Sequence, residues 1–60
     1  MDELTEALIA RVRAARTGVA EAVAAHDPRA VSAAVDELED ALMSARAEGV
    51  EVPPADADRG

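Results

Sequence analysis

The densest group of side chains that could do chemistry is an acidic run formed by Asp36, Glu37, Glu39 and Asp40. On a helix, Asp36 and Asp40 lie on the same face, and paired carboxylates can bind a divalent cation or exchange protons. Catalytic pairs, however, need a pocket that separates the pKa values of the two carboxyl groups. The central glycine of a calcium-binding loop is also missing from this run. We therefore interpret the run as a solvated acidic face and a candidate surface for binding a partner protein.

A basic cluster in the first half of the chain offers a second kind of chemistry. Arg11, Arg13 and Arg16 carry guanidinium groups, whose forked donors suit phosphate and carboxylate ligands. The cluster is therefore a candidate anion site, in which arginines from two chains would grip one small molecule. The alternative is structural, because these arginines can pair with acidic residues across a helix interface and then need no ligand.

The remaining residues that could react lack a supporting context. His26 is the single histidine and the chain has no cysteine, so a zinc site, which needs several nitrogen or sulfur ligands, is not expected. His26 instead fits the carboxyl end of a helix, where the dipole favours a cation. Ser32 and Ser44 lie within a predicted helix and not at a nucleophile elbow. We expect no catalytic residue, no cofactor and no metal, and we interpret the protein as a non-enzyme.

The spacing of apolar and small residues predicts a first helix over residues 2–25. The apolar and small residues of its seam recur at alternating steps of four and three positions, and this spacing is typical of a helix packed along another helix. Acidic residues at Asp2, Glu3 and Glu6 lie at the amino end, where the helix dipole favours negative charge. Glycine inside a helix costs about 1 kcal/mol relative to alanine, so Gly18 is interpreted as a point of close approach. The seam of this helix is formed by Leu8, Val12, Ala15, Val19, Ala22 and His26.

A turn is predicted at residues 26–27. Proline disfavours helical geometry in the residue before it, so the first helix must end at or before His26. Asp27 suits the N-cap of a new helix and Pro28 suits its first position. A second helix is therefore expected to start at once, and a connection this short forces the two helices to lie side by side and antiparallel.

The second helix is predicted over residues 28–48. Gly49 is expected to follow it in the left-handed conformation that commonly ends a helix. Residues 1–50 then form the hairpin, and residues 51–60 form a proline-containing tail that starts extended and becomes flexible. The seam of the second helix is formed by Val31, Val35, Leu38, Leu42 and Ala45.

The hairpin makes a prediction about which residues face each other. With the turn at residues 26–27, facing residues have numbers that add up to roughly 52 to 55. Gly18 then faces Ala34, so that two small residues meet and the helices can approach closely. The same rule brings the basic cluster opposite the acidic run, with Arg16 facing Glu39. We therefore predict an all-α fold, an antiparallel two-helix hairpin.

Size and composition predict that the hairpin needs a partner. A chain of 60 residues with no aromatic residue and no cysteine has a thin core and no disulfide. Leu4 and Ile9 flank the first seam, and Ala34 and Ala41 flank the second, so two hairpins could bury these flanks in a four-helix bundle. We expect a homodimer of this kind. Its core and oligomer seam would comprise Leu4, Leu8, Ile9, Val12, Val19, Val23, Val31, Val35, Leu38 and Leu42.

The charge of the chain excludes several classes of partner. The formal net charge is −7 and the sequence contains no lysine, so neither nucleic acid nor an anionic membrane surface is an expected partner. No apolar run approaches the ~20 residues of a membrane helix, and the amino terminus is acidic where a signal peptide is basic. We expect a cytoplasmic protein, and the arginine-rich, lysine-free composition suggests a bacterial one.

Three functional hypotheses from different classes remain open at this point. The first is a small acidic protein-interaction module, acting as a regulator, adaptor or accessory subunit through a coiled-coil-like helical bundle. The second is a ligand-sensing bundle that binds an anionic small molecule through Arg11, Arg13 and Arg16. The third is a subunit of an oligomeric enzyme whose active site forms only on assembly. We favour the first hypothesis, because no catalytic motif accompanies the helical pattern.

Overall fold

The computed structural model describes residues 2–54 and shows an antiparallel pair of helices. Helix α1 spans Glu3–Ala24 and helix α2 spans Pro28–Ala47, and the described part of the chain contains no strand. The predicted all-α hairpin is thus confirmed, whereas its pairing with a second copy stays a prediction. Residues 55–60 of the predicted tail lie outside the described residues. Across residues 2–54, neither helix combines the length and the apolar composition that a membrane span needs.

Helix α1 begins with a side-chain cap. Asp2 is the N-cap residue, and its Oδ1 accepts a hydrogen bond of 2.7 Å from the backbone amide of Thr5. The bond to the Thr5 amide favours the charged carboxylate and holds the pKa of Asp2 below its ordinary value. Glu3 and Glu6 occupy the first turn, where their charge complements the dipole. The helix therefore starts one residue later than predicted, because Asp2 caps it from outside.

The turn between the helices is a Schellman motif with histidine at the left-handed position. His26 has φ of 54°, its amide donates to the Val23 carbonyl, and the Asp27 amide donates to the Ala22 carbonyl. These two bonds satisfy carbonyls at the carboxyl end of α1 that have no partner within the helix. The role of His26 is therefore set by its backbone. A residue other than glycine is strained in this conformation, although histidine tolerates it better than most.

Helix α2 is capped at both ends as the sequence predicts. Asp27 accepts a hydrogen bond of 3.2 Å from the Ala30 amide, and Pro28 follows it at the first helical position. At the other end Gly49 has φ of +70°, and the Val50 amide donates to the Ala45 carbonyl over 2.8 Å. Both helices thus end in the same motif, with glycine in one and histidine in the other. Caps of the Asp27 type contribute about 1 kcal/mol each.

The register of the hairpin is set by two contacts across the interface. A Cβ at Gly18 would lie 3.9 Å from the Cβ of Ala34, which confirms that these two residues face each other. Further from the turn, the Arg11 guanidinium donates a hydrogen bond of 3.1 Å to the Ser44 hydroxyl. These two contacts show which parts of α1 and α2 lie at the same level along the hairpin.

Alanines form the centre of the α2 interface. Ala41 and Ala45 are completely buried, whereas Val35 is 37% exposed. Of the predicted seam of α2, Ala45 is buried, Val31, Leu38 and Leu42 are half-buried, and Val35 is exposed. The physical reason is that alanines let the helices approach closely, which leaves the branched valines at the edge. On α1 the buried residues are Leu8, Ile9, Val12, Ala15 and Ala22.

Two predicted flanking residues are not available to a second hairpin. Ile9 is only 9% exposed and Ala41 is completely buried within one chain, so neither forms the open flank that the sequence predicts. Other residues predicted for the seam are open instead, since Leu4 is 53% exposed and Val23 is 55% exposed. One hairpin therefore buries alanines and leaves several of its larger apolar side chains in contact with solvent.

Replacing His26 with glycine should stabilise the hairpin. Glycine adopts the left-handed conformation without the steric penalty of a Cβ, so we expect His26→Gly to raise the free energy of unfolding by about 1 kcal/mol. Thermal unfolding followed by circular dichroism measures this change. The matched control is Ala25→Gly, because Ala25 has φ of −81° and gains nothing from glycine. A lower melting temperature for His26→Gly would contradict the assigned turn.

Replacing Gly18 with alanine should also stabilise the protein. The separation of 3.9 Å from Ala34 is ordinary van der Waals contact, so a methyl group fits without moving the helices. The gain in helix propensity is about 1 kcal/mol. Ala20→Gly, at an exposed position of the same helix, should lower stability by a similar amount. Destabilisation by Gly18→Ala would show instead that the interface needs glycine at this point.

Candidate functional site

The segment after α2 folds back onto α1. We call residues 50–54 the strap; Val52 and Pro53 within it are half-buried. The Arg16 guanidinium donates a partly buried hydrogen bond of 2.8 Å to the carbonyl oxygen of Pro53. This bond joins residues that are far apart in the sequence, and it holds the strap against α1.

The strap closes a groove along α1. Glu6, Ile9, Ala10 and Arg13 line it together with Pro53, and its volume is about 490 Å³. Ile9 lies to one side of the helix interface, so its exposure of only 9% shows that this side is covered as well. The groove combines an apolar floor with one acidic and one basic residue at its rim. We call it the strap groove.

A second groove lies between the two helices on the other side of the hairpin. Arg11, Ala14, Ala15 and Glu37 line it, and its volume is about 300 Å³. The hydrogen bond from Arg11 to Ser44 lies on this side and is exposed to solvent. Arg11 therefore bridges the helices at their surface, where an exposed hydrogen bond contributes little to stability.

The structure does not bring the three arginines of the candidate anion site together. Arg11 lines the groove between the helices, whereas Arg13 lines the strap groove and Arg16 bonds the strap itself. The sequence predicts Glu39 as the residue facing Arg16, and one hydrogen bond of Arg16 goes to the Pro53 carbonyl. Helical rotation separates positions 11 and 13 by about 200°, which is the physical reason for the division.

The acidic run is placed on the surface of α2. All four of its carboxylates are exposed, and Glu37 alone reaches a groove between the helices. Within residues 2–54, no group of three or more histidine, aspartate or glutamate side chains is arranged to hold a metal ion. The carboxylates therefore present a negative surface to solvent. Its members are Asp36, Glu37, Glu39 and Asp40.

An uncharged apolar surface lies at the turn end of the hairpin. Val19 and Val23 are one helical turn apart on α1, and Val31 and Val35 are one turn apart on α2, so each pair forms a ridge. Val19 and Val31 are half-buried beside the interface, and the other two are exposed. Helical rotation points this surface away from Arg11 and Glu37. We call these four residues the valine patch.

The strap is the part of the site that sequence reasoning missed. A signal for it existed, since Val50 and Val52 continue the apolar character beyond the glycine that ends α2. The sequence predicts extended structure here, but nothing in local pattern shows that the segment turns back onto Ile9. The two serines considered for chemistry lie in different surroundings. Ser32 is exposed on α2, and the Ser44 hydroxyl accepts a hydrogen bond from Arg11.

Comparison with known proteins finds no family model that matches this chain, no similar curated protein and no similar solved structure. The interpretation of the surfaces described above therefore depends on their own geometry and chemistry.

Proposed function

We propose that this chain is a non-enzymatic protein-interaction module whose hairpins pair through the valine patch into a four-helix bundle. The observation that carries the proposal is the exposure of branched apolar side chains, with Val23 at 55% and Val35 at 37%. The patch has no charged member, which matters because a charge would have to be desolvated on association. A second copy supplies the same patch, and two-fold symmetry makes such a surface complementary to itself.

The size of the patch indicates a weak, reversible dimer. Complete burial of a valine side chain contributes roughly 1.5 to 3 kcal/mol, and these valines are already partly covered. The gain must offset the loss of rotational and translational freedom, which is of the order of 4 kcal/mol or more. We therefore expect a dissociation constant on the order of micromolar, not the tight association of an obligate dimer.

The acidic run supplies a second, outward-facing surface in this proposal. Asp36 and Asp40 lie on a face of α2 that points away from α1, and all four carboxylates of the run are exposed. A dense negative surface steers basic partners towards it and repels nucleic acid. The bundle would then act as an adaptor or accessory subunit that presents this surface to a basic protein.

The two other hypotheses receive less support. A site for an anionic small molecule needs converging donors, whereas Arg11 and Arg13 line different grooves and Arg16 bonds the strap. An enzyme subunit would need residues poised for chemistry at an interface, and the valine patch supplies none. We therefore develop only the interaction module.

Introducing charge into the valine patch should abolish pairing. We expect light scattering, at a protein concentration well above the expected dissociation constant, to report about two chains per particle for the native protein and one for the Val23→Glu, Val35→Glu double variant. Because both positions are exposed, the helical circular dichroism should be retained.

The matched control places two glutamates elsewhere on the surface. Leu4→Glu with Met43→Glu alters side chains that are 53% and 65% exposed but lie outside the patch. This variant should still form dimers. A native protein that remains a folded monomer across the concentration range, or a control that dissociates as readily as the patch variant, would refute the proposal.

Reversing charge on the acidic run should weaken binding of the basic partner. The Glu37→Arg, Asp40→Arg variant should keep its helical spectrum and retain less of the partner captured from native lysate, most clearly at low salt. Glu21→Arg with Glu48→Arg is the control, since it changes the net charge equally at exposed positions outside the run. Equal capture by both variants would show that the run only keeps the protein soluble.

A further inference from the structure

The acidic run adjoins the valine patch on α2. Asp36 directly follows Val35, and Glu39 lies one helical turn after Val35, where the two side chains are neighbours on the helix surface. Both carboxylates are exposed, as is 37% of Val35. A hairpin that buries Val35 against a second copy therefore brings these carboxylates to the edge of the contact.

The charge around the valine patch is mostly negative. Within four residues of a patch member along the chain, five acidic residues are opposed by two arginines, and all five acidic residues are exposed. The arginines are Arg29 and Arg16, and Arg16 donates a hydrogen bond to the Pro53 carbonyl. The acidic residues are Glu21, Asp27, Asp36, Glu37 and Glu39. Each copy thus carries a negative rim around its apolar contact surface.

Pairing through the patch brings two such rims together. Two-fold symmetry presents the same surface from both copies, and like charges that approach each other at an interface weaken association. At about 0.1 M salt the Debye length is about 10 Å, so mainly the charges near the contact act on it. Glu6 and Glu48 each lie thirteen residues from the nearest patch valine, which is about 20 Å along the helix. Charges at the open end are therefore largely screened.

We propose that the acidic run restrains pairing through the valine patch, and that a basic partner bound to the run releases this restraint. The inference rests on the proposed function and adds that its two surfaces are coupled. Positive charge held over Asp36 and Glu39 offsets the repulsion between the two copies. By thermodynamic linkage, the partner strengthens pairing by the same factor by which pairing strengthens binding of the partner.

The first measurement is the dimer dissociation constant of the full chain, obtained by sedimentation velocity at about 0.1 M salt. The Asp36→Asn, Glu39→Gln variant should pair about threefold more tightly than the native protein, because fewer like charges meet at the contact. Its advantage should disappear at about 1 M salt, where the Debye length is about 3 Å. The matched control is Glu6→Gln with Glu48→Gln, which removes the same charge at exposed positions far from the patch and should pair like the native protein.

The second measurement adds an acetylated and amidated tetralysine peptide as the basic probe. Saturating peptide should tighten pairing of the native protein about threefold, the same factor as removal of the two charges. It should change the Asp36→Asn, Glu39→Gln variant much less. The Val23→Ser, Val35→Ser variant reduces the apolar area of the patch without changing its charge, and it should stay monomeric with the peptide present. Circular dichroism checks that each variant retains its helices.

Two kinds of result would overturn the coupling while leaving self-association in place. One is a native dimer whose dissociation constant changes neither with the peptide nor with Asp36→Asn, Glu39→Gln, or changes equally with Glu6→Gln, Glu48→Gln. The other is a serine variant that the peptide drives into dimers as readily as the native protein, which would mean that the peptide merely bridges two chains. A native protein that stays monomeric with and without the peptide would refute both the pairing and its coupling to the acidic run.

Discussion

The close antiparallel approach of two helices across a row of alanines is the constraint on which the rest of this structure depends. Ala41 and Ala45 are completely buried, and among the described residues Val12 is the largest side chain that is fully buried. Such an interface removes little apolar area from water for its length, and burial of that area is the main source of stability. A hairpin of this kind therefore depends strongly on its caps, which hold both helix ends and the turn.

Small residues at the centre displace the large apolar ones to the edges. On α2 the row of alanines turns Val35 towards solvent, and on α1 Val23 is left uncovered beyond the interface. The apolar side chains at the edges are covered differently at the two ends of the hairpin. At the open end the strap returns over Ile9 and is held by Arg16, whereas at the turn end Val23 and Val35 of the valine patch are exposed. The exposure of the valine patch follows from this packing.

The helix interface also divides the charged residues. Because positions 11 and 16 lie about 140° apart around α1, Arg11 reaches Ser44 and the groove with Glu37, while Arg16 reaches the strap. Arg11 and Arg16 thereby form hydrogen bonds within the chain itself, and such bonds contribute modestly to stability. The carboxylates of α2 remain open to solvent, which gives the molecule an acidic outer surface.

The sequence by itself determined those features that depend on neighbouring residues. Asp27-Pro28 specifies where one helix stops and the next begins, Gly49 specifies the end of α2, and the short turn imposes antiparallel pairing with Gly18 opposite Ala34. Only the tertiary structure decided which side of the apolar stripe on each helix faces the helix interface. A stripe of apolar residues on a helix is wider than the line of contact, so the pattern alone does not distinguish a seam centred on Val35 from one centred on Ala41. The return of the strap to Arg16 is likewise a long-range contact, and the extended preference of a Val-Pro-Pro segment carries no information about the surface on which it settles.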